Sequence, residues 1–144
     1  MSNRIDIAKI QPKALQALLG VESYLSTVEL SPELKALIML RASFINHCAY
    51  CIEMHTKEAL KLGMEQQKIF ALSAWEESPR FSQNEQALLR LVDEMTLIHQ
   101  RGVSDSTYQA CIDALGEQGV AEAMMQIIMI NAWNRFALAT KMQH

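Results

Sequence analysis

Helix starts and stops recur along this chain, and nothing between them alternates as a strand would. Ser31-Pro32-Glu33 places a hydroxyl at an N-cap and a proline at the first helical position. Ser82-Gln83-Asn84-Glu85 is a capping box, in which the serine and the glutamate each satisfy a backbone N–H of the first turn. Ser104 reads as another N-cap, and Gly63, Gly102 and Gly116 stand where helices should stop. Apolar residues such as Ala14, Leu15, Leu18 and Leu19, and later Leu34, Leu37 and Ile38, follow helical spacing. Runs of β-branched residues with period 2 are missing, so no strand is expected. The expected helices cover 14–25, 31–46, 48–62, 65–75, 82–99, 104–116 and 120–142. The chain has 144 residues, 50% of them hydrophobic, which is enough for one core. The expectation is a single all-α domain over 1–144, a bundle of about six to seven helices.

Charge and patterning narrow the function classes. The net charge is −3 with no basic stripe, so a nucleic-acid partner is not expected. Met1 to Asp6 leads into no long apolar run, which argues against a secretory signal. No apolar stretch reaches the ~18 residues of a membrane span, so no membrane partner is expected either. The reading is a soluble, cytoplasmic protein. In that compartment three cysteines do not read as a disulfide scaffold. Cys111, among Tyr108, Ile112 and Leu115, reads as a small core residue, and the nine methionines as core filling.

The chemistry concentrates in Cys48-Ala49-Tyr50-Cys51-Ile52-Glu53-Met54-His55. On a helix, with Cys48 at zero, Cys51 falls at about 300° and His55 at about 340°, so the three share one face. Cys48 and Cys51 occupy the first turn, where unpaired N–H groups and the dipole favour a thiolate. His55 is placed to take a thiol proton or to stand as imidazolium beside the sulfur. Cys51 has the nearer base, while Cys48 lies closer to the helix terminus. Ala59 and Leu62 continue this face, which points it into a pocket between helices. Glu53 and Lys57 fall on other faces. Glu58, three residues from His55, can orient it or remain a surface carboxylate.

Other uses of two cysteines compete. A thioredoxin-type site needs a βαβ setting, and haem attachment needs a histidine directly after the second cysteine, where Ile52 stands. Cys48, Cys51 and His55 with one more ligand from His47, His99 or His144 would make a zinc site. That reading is the weaker one, and neither a metal nor a cofactor is expected.

The stretch from Leu40 through His55, continuing to Ala59 and Gly63, resembles the core of the alkylhydroperoxidase D-like proteins of the carboxymuconolactone decarboxylase superfamily. The match takes in Ser43, Asn46 and the C-x-x-C-x-x-x-H unit. Asn131-Ala132-Trp133-Asn134-Arg135 looks like the closing-helix motif of the short, single-domain, peroxidase-related members. The resemblance implies an all-α fold with the CxxC at the N-terminus of a central helix, and homo-oligomers, trimers or hexamers. It implies antioxidant reduction of alkyl hydroperoxides, with Cys51 attacking the peroxide, Cys48 resolving, and His55 assisting. A lipoyl or thioredoxin-like protein would return the electrons.

Two positions depart from that pattern. The best-known members carry a histidine just before the second cysteine and a glutamate twelve residues before the first. Here these positions are Tyr50 and Ala36. Glu33, one turn before Ala36 on the same face, and Tyr50 are the expected substitutes in the proton relay, with Glu85 and Glu94 as other candidate carboxylates. Arg41 would stabilise a thiolate or pair with a carboxylate such as Glu33. Asn131, Asn134 and Arg135 would reach the pocket or pack helices. The competing function is a redox-sensing or disulfide-reductase module with little turnover. A decarboxylase ranks below it, because such members generally lack the cysteine pair.

Overall fold

A computed structural model describes residues 4–143; Met1 to Asn3 and the candidate ligand His144 lie outside the described residues. The elements are α1 (Ile7–Ile10), α2 (Pro12–Leu25), α3 (Pro32–Ile45), α4 (Ala49–Lys61), α5 (Gln66–Ala71), a 3-10 helix (Leu72–Glu77), α6 (Gln83–Thr96), α7 (Ile98–Arg101) and α8 (Asp105–Thr140). No strand occurs among the described residues, and the fold is all-α as expected.

The expected caps form. Ser31 Oγ accepts from Leu34 N–H at 3.2 Å, and Pro32 opens α3. Ser82 and Glu85 close the capping box of α6 in both directions, at 3.1 and 2.9 Å. Ser104 Oγ accepts from Thr107 N–H at 3.2 Å to open α8.

α3, α6 and α8 pack together at the centre. Ile38 and Ala42 meet Leu88, Leu91 and Val92 of α6 and Ala123, Ile127 and Ile130 of α8. The other side of α3, with Ala36, Leu37 and Leu40, packs on Ala59, Ile69, Leu72, Trp75 and Leu89. α3 is thus apolar nearly all round because it is buried on two sides. Each such leucine stabilises the fold by about 1.5–3 kcal/mol through burial.

The two helices expected around 104–116 and 120–142 both form and are grouped here as α8; they are separated by a break at Gly116, whose φ of 71° and ψ of 171° only glycine adopts without strain. Two expectations change. The helix opened by Ser82 ends at Thr96, whose hydroxyl accepts from Asn131 Nδ2 at 3.1 Å, and 98–101 forms its own turn. α1 precedes Pro12 as a four-residue turn, too short to show a period, with Asp6 capping Lys9 N–H at 3.3 Å. The described residues therefore hold eight α-helices, above the expected six to seven.

Arg41 takes the carboxylate-pairing role, with Asp93 as the carboxylate. Its guanidinium forks onto Asp93 (Nε–Oδ1 2.7 Å, Nη2–Oδ2 3.2 Å) and donates to the Leu72 carbonyl at 2.9 Å. Trp75 Nε1 donates to the same Asp93 at 3.1 Å. The bidentate geometry ties α3, α6 and the 3-10 helix together. Arg41 serves packing here, with Asp93 as its partner in place of Glu33.

Candidate active site

The turn between α3 and α4 fixes the first cysteine. His47 N–H donates to Phe44 O at 3.2 Å and Cys48 N–H to Ser43 O at 3.1 Å, the paired bonds of a Schellman ending. His47 takes the left-handed position, with φ 56°, where glycine is usual. That conformation costs a non-glycine residue roughly 1–2 kcal/mol. A buried amide network holds it in place. Asn46 Nδ2 donates to both Asn131 and Asn134 Oδ1 at 2.9 Å, and Asn134 Nδ2 donates to Ser43 Oγ at 3.0 Å. Arg135 adds a bond to Asn131 Oδ1 at 3.1 Å. Asn131 and Asn134 thus pack helices and fasten the cysteine turn to α8, while exposed Arg135 braces Asn131 within α8.

Cys48 ends the turn and is at once the N-cap of α4. Its Sγ accepts from Cys51 N–H at 3.3 Å. The two cysteines form a disulfide with Cα atoms 5.2 Å apart, and both are buried, at 1% and 2% exposure. One turn on, His55 is buried and its Nδ1 lies 3.0 Å from Glu58 Oε2. The Glu58 side chain is 55% exposed, so its carboxylate is a hydrated partner. Such a partner orients the ring through Nδ1.

Cys51 and His55 border one cavity of about 770 Å³. Its wall is largely apolar: Met39 from α3, Met54 from α4, and Ile130, Trp133 and Phe136 from α8. Trp133 and Phe136 meet edge to face, with centroids 5.6 Å apart. Trp133 Nε1 donates to Glu22 Oε1 at 2.8 Å, which ties α2 to this wall. Residues 4–8, leading into α1, close another side. A second space of about 240 Å³ adjoins Cys48, with His47, Ala49 and Lys141. Tyr50 and Ala137 border both spaces.

Cys48, Cys51, His55 and Tyr50 thus come together at the start of α4. Glu33 does not join them. It borders a cleft with Gly63, Lys68, Arg80 and Glu85. α4 packs on α3 and, after the tight turn, leads back along it. The N-terminal end of α3 is therefore level with the last turn of α4, roughly 18 Å along the helix from the cysteines. Glu85 is engaged by Lys68 at 2.8 Å and by its cap. Burial alone would raise its carboxyl, but bonds from Lys68 and Ser82, with the Lys68 charge, hold it below the usual value. Glu94 accepts from Ser104 N–H at 3.2 Å. Neither carboxylate borders the cavity; Glu22 and Glu58 do. Leu62 is exposed, so the buried face of α4 ends at Ala59. Lys57 pairs with Glu53 on the outer face at 2.7 Å.

Cys111 is a core thiol that donates to Ala87 O at 3.2 Å, and burial pushes its pKa up to about 11. Among the described residues no group of three metal-binding side chains forms, so the zinc alternative gains no ligand set. No helix among them is long and apolar enough to cross a membrane. Sequence reasoning missed Glu22, Lys35 and Met39 as cavity residues, because which faces of α2 and α3 turn toward α4 depends on how the helices pack. Only the polar interruptions at Glu22 and Lys35 hinted at two of them.

The profile of the carboxymuconolactone decarboxylase family matches residues 12–94, more than half the chain. The uncharacterised protein YdfG of Bacillus subtilis is 34% identical over 139 residues, covering 96% of this chain and 95% of its own. A solved structure from Agrobacterium tumefaciens, a protein of unknown function named as a candidate antioxidant defence protein AhpD, is 36% identical. It superposes with a TM-score of 0.95 over 99% of this chain and 98% of its own. An uncharacterised peroxidase-related protein of Silicibacter sp. TM1040 shares the fold at 20% identity, with a TM-score of 0.81 over 92% of this chain and 71% of its own.

Proposed function

The chain belongs to the carboxymuconolactone decarboxylase family, and on that premise we propose that it is a thiol-dependent peroxidase acting on organic hydroperoxides in antioxidant defence. The observation that carries the reading is the placement of the buried Cys51 and His55 on one mostly apolar cavity, with Cys48 bonded to Cys51 at the same helix N-terminus. The role named for the Agrobacterium relative agrees with it.

The cycle has three steps. The Cys51 thiolate attacks the distal oxygen of the hydroperoxide, the O–O bond breaks, and His55 passes a proton to the departing alkoxide, so that alcohol leaves. Cys51 is then a sulfenic acid. Cys48 attacks its sulfur, water leaves, and the disulfide forms. An external dithiol, on a lipoyl group or a thioredoxin-like protein, returns two electrons and two protons. Glu58 positions His55 in this scheme, the part that neither Glu33 nor Ala36 supplies. A cavity of about 770 Å³ suits a bulky alkyl or aryl hydroperoxide.

The test is one equivalent of cumene hydroperoxide added to the reduced protein. Rapid loss of two thiols with a mass decrease of about 2 Da supports the cycle. Retention of that reaction by Cys51→Ser would sink the assignment. A sensor or disulfide-reductase role would show oxidation without sustained turnover when a reductant recycles the protein.

A further inference from the structure

One buried polar side chain faces the large cavity without a partner. Gln126, in the last part of α8, is 4% exposed and lines the space. Its amide makes no hydrogen bond among the described residues, although an amide offers donors and an acceptor oxygen. Asn134, equally enclosed on the same helix, has its amide bonded on both sides, to Asn46 and Ser43. An unbonded buried amide is costly to keep, so a group that supplies the missing bond is favoured.

Two contacts place Gln126 along the cavity. Leu30 N–H donates to Glu122 at 3.0 Å and Ser43 accepts from Asn134 at 3.0 Å, with sequence separations of 92 and 91. α3 and this part of α8 therefore run side by side in the same direction. Equal rise per residue then sets Lys35 level with Gln126, and Met39 level with Ile130. Ala137 packs on the Cys48–Cys51 pair. Gln126 precedes it on the same helix face by eleven residues, about 16 Å along the axis. The cavity thus has a thiol end and an amide end, joined by the apolar side chains of Met39, Ile130 and Trp133.

Lys35 adds a cation to the amide end. Its Nζ donates to the Leu25 carbonyl at 2.7 Å, at the C-terminal end of α2. That bond uses one of the three donors of an ammonium group. Lys35 has no carboxylate partner among the described residues. Glu22, the cavity carboxylate on α2, is engaged by Trp133 Nε1 at 2.8 Å. Two side chains therefore present unused N–H donors at this end.

Resting on the peroxidase reading, we infer that Gln126 is a specificity-determining residue and that, with Lys35, it binds an acyl oxygen at the far end of a long-chain hydroperoxide, whether of a carboxylate or of an ester. Gln126 Nε2 and Lys35 Nζ donate to that oxygen. The hydrocarbon lies along Met39, Ile130 and Trp133, and the peroxide group reaches Cys51 and His55. Cumene hydroperoxide, which has no acyl group, engages the thiol end alone. The distal bonds of the longer substrate hold its reacting oxygen in place.

The experiment compares 13-hydroperoxyoctadecadienoic acid, its methyl ester and cumene hydroperoxide as oxidants of the reduced full chain, by stopped-flow fluorescence. Gln126→Leu is expected to lower the rates of the acid and the ester, each taken relative to cumene hydroperoxide, about tenfold, the scale of one lost hydrogen bond. Unchanged ratios overturn the inference. Gln126→Glu keeps the size of the side chain and is expected to slow the acid more than the ester, through like charge. An acid rate that falls no further than the ester rate removes the acyl site. Lys35→Met tells the two sources apart: a loss confined to the acid supports a carboxylate, a loss on both supports a carbonyl, and a loss on neither contradicts the site. Octadecadienoic acid itself, which carries no peroxide, is expected to bind the oxidised chain, and to bind Gln126→Leu about tenfold more weakly. Equal binding sinks the acyl site even where cumene hydroperoxide oxidises the thiols. No oxidation by cumene hydroperoxide sinks the peroxidase reading and leaves the binding result standing.

Discussion

His55 and Glu58 meet one turn apart on α4, Nδ1 to Oε2 at 3.0 Å, with the imidazole buried and the carboxylate in water. The pair supplies from within one helix the carboxylate–imidazole contact that the Glu33 expectation sought from another. Its hydrated end makes it a positioning device more than a source of strong charge.

On this basis His55→Ala should slow oxidation of Cys51 by cumene hydroperoxide about 100-fold, the usual scale for a lost general acid. Glu58→Ala should slow it less, by about fivefold, and Glu58→Gln should recover most of that, because the amide oxygen still accepts from Nδ1–H. Stopped-flow tryptophan fluorescence follows the reaction. Equal rates for the alanine and glutamine variants would remove the orienting role.

Cys111 should stay silent. Its thiol is pushed up to about 11 by burial, with Glu94 adding to the rise, so at pH 8 it is protonated as well as enclosed. Native labelling with iodoacetamide should leave it unmodified while the reduced Cys48–Cys51 pair reacts. Cys111→Ala should keep the two-thiol response to peroxide. Labelling of Cys111 at the rate of an open thiol would contradict its place in the core.

Asn134 holds the cysteine turn to α8 through Ser43 and Asn46 and is fully enclosed. Asn134→Ala leaves both partners short of a bond, at a cost of about 1–3 kcal/mol. Urea unfolding should show the free energy of unfolding fall by that amount, through a lower midpoint at an unchanged slope. A change of under 0.5 kcal/mol would mean that the network is slack.

Glu85 gives the fold an acid limb. Its folded-state pKa lies below the ordinary value of 4.5, because the Lys68 and Ser82 bonds outweigh burial. The sign follows from that. The unfolded chain binds the proton first as pH falls, so this stabilisation is present above about 4.5 and is lost as pH drops through the folded value. Glu85→Gln should flatten thermal stability against pH below that point while leaving the cap largely intact. An unchanged acid limb would assign it to other carboxylates.

Much of this was readable from the residues. Ser31, Ser82 and Ser104 announced helix starts because capping is local chemistry, and the three-and-four spacing of Cys48, Cys51 and His55 required only a helix. The rest depended on how helices lie against one another. Glu33 shares a face with Ala36, but the turn at His47 brings α4 back along α3, so Glu33 meets Gly63 instead of the cysteines. Gly116 was legible as a stop because a positive-φ glycine commonly ends a helix, and the helical backbone does break there before the last helix begins. Glu22 and Trp133 lie 111 residues apart, and no local pattern foretells their bond.

Cys48 is the last residue of one turn and the cap of the next helix, so neither sulfur has to travel for the pair to close. In the proposed cycle, an oxidised Cys51 finds its captor already in place. Capture then competes as an intramolecular event against any second peroxide arriving from solution. The brevity of that turn therefore works as a safeguard. It makes irreversible overoxidation to a sulfinic acid the slower of two fates, without a moving segment or a second protein to enforce the choice.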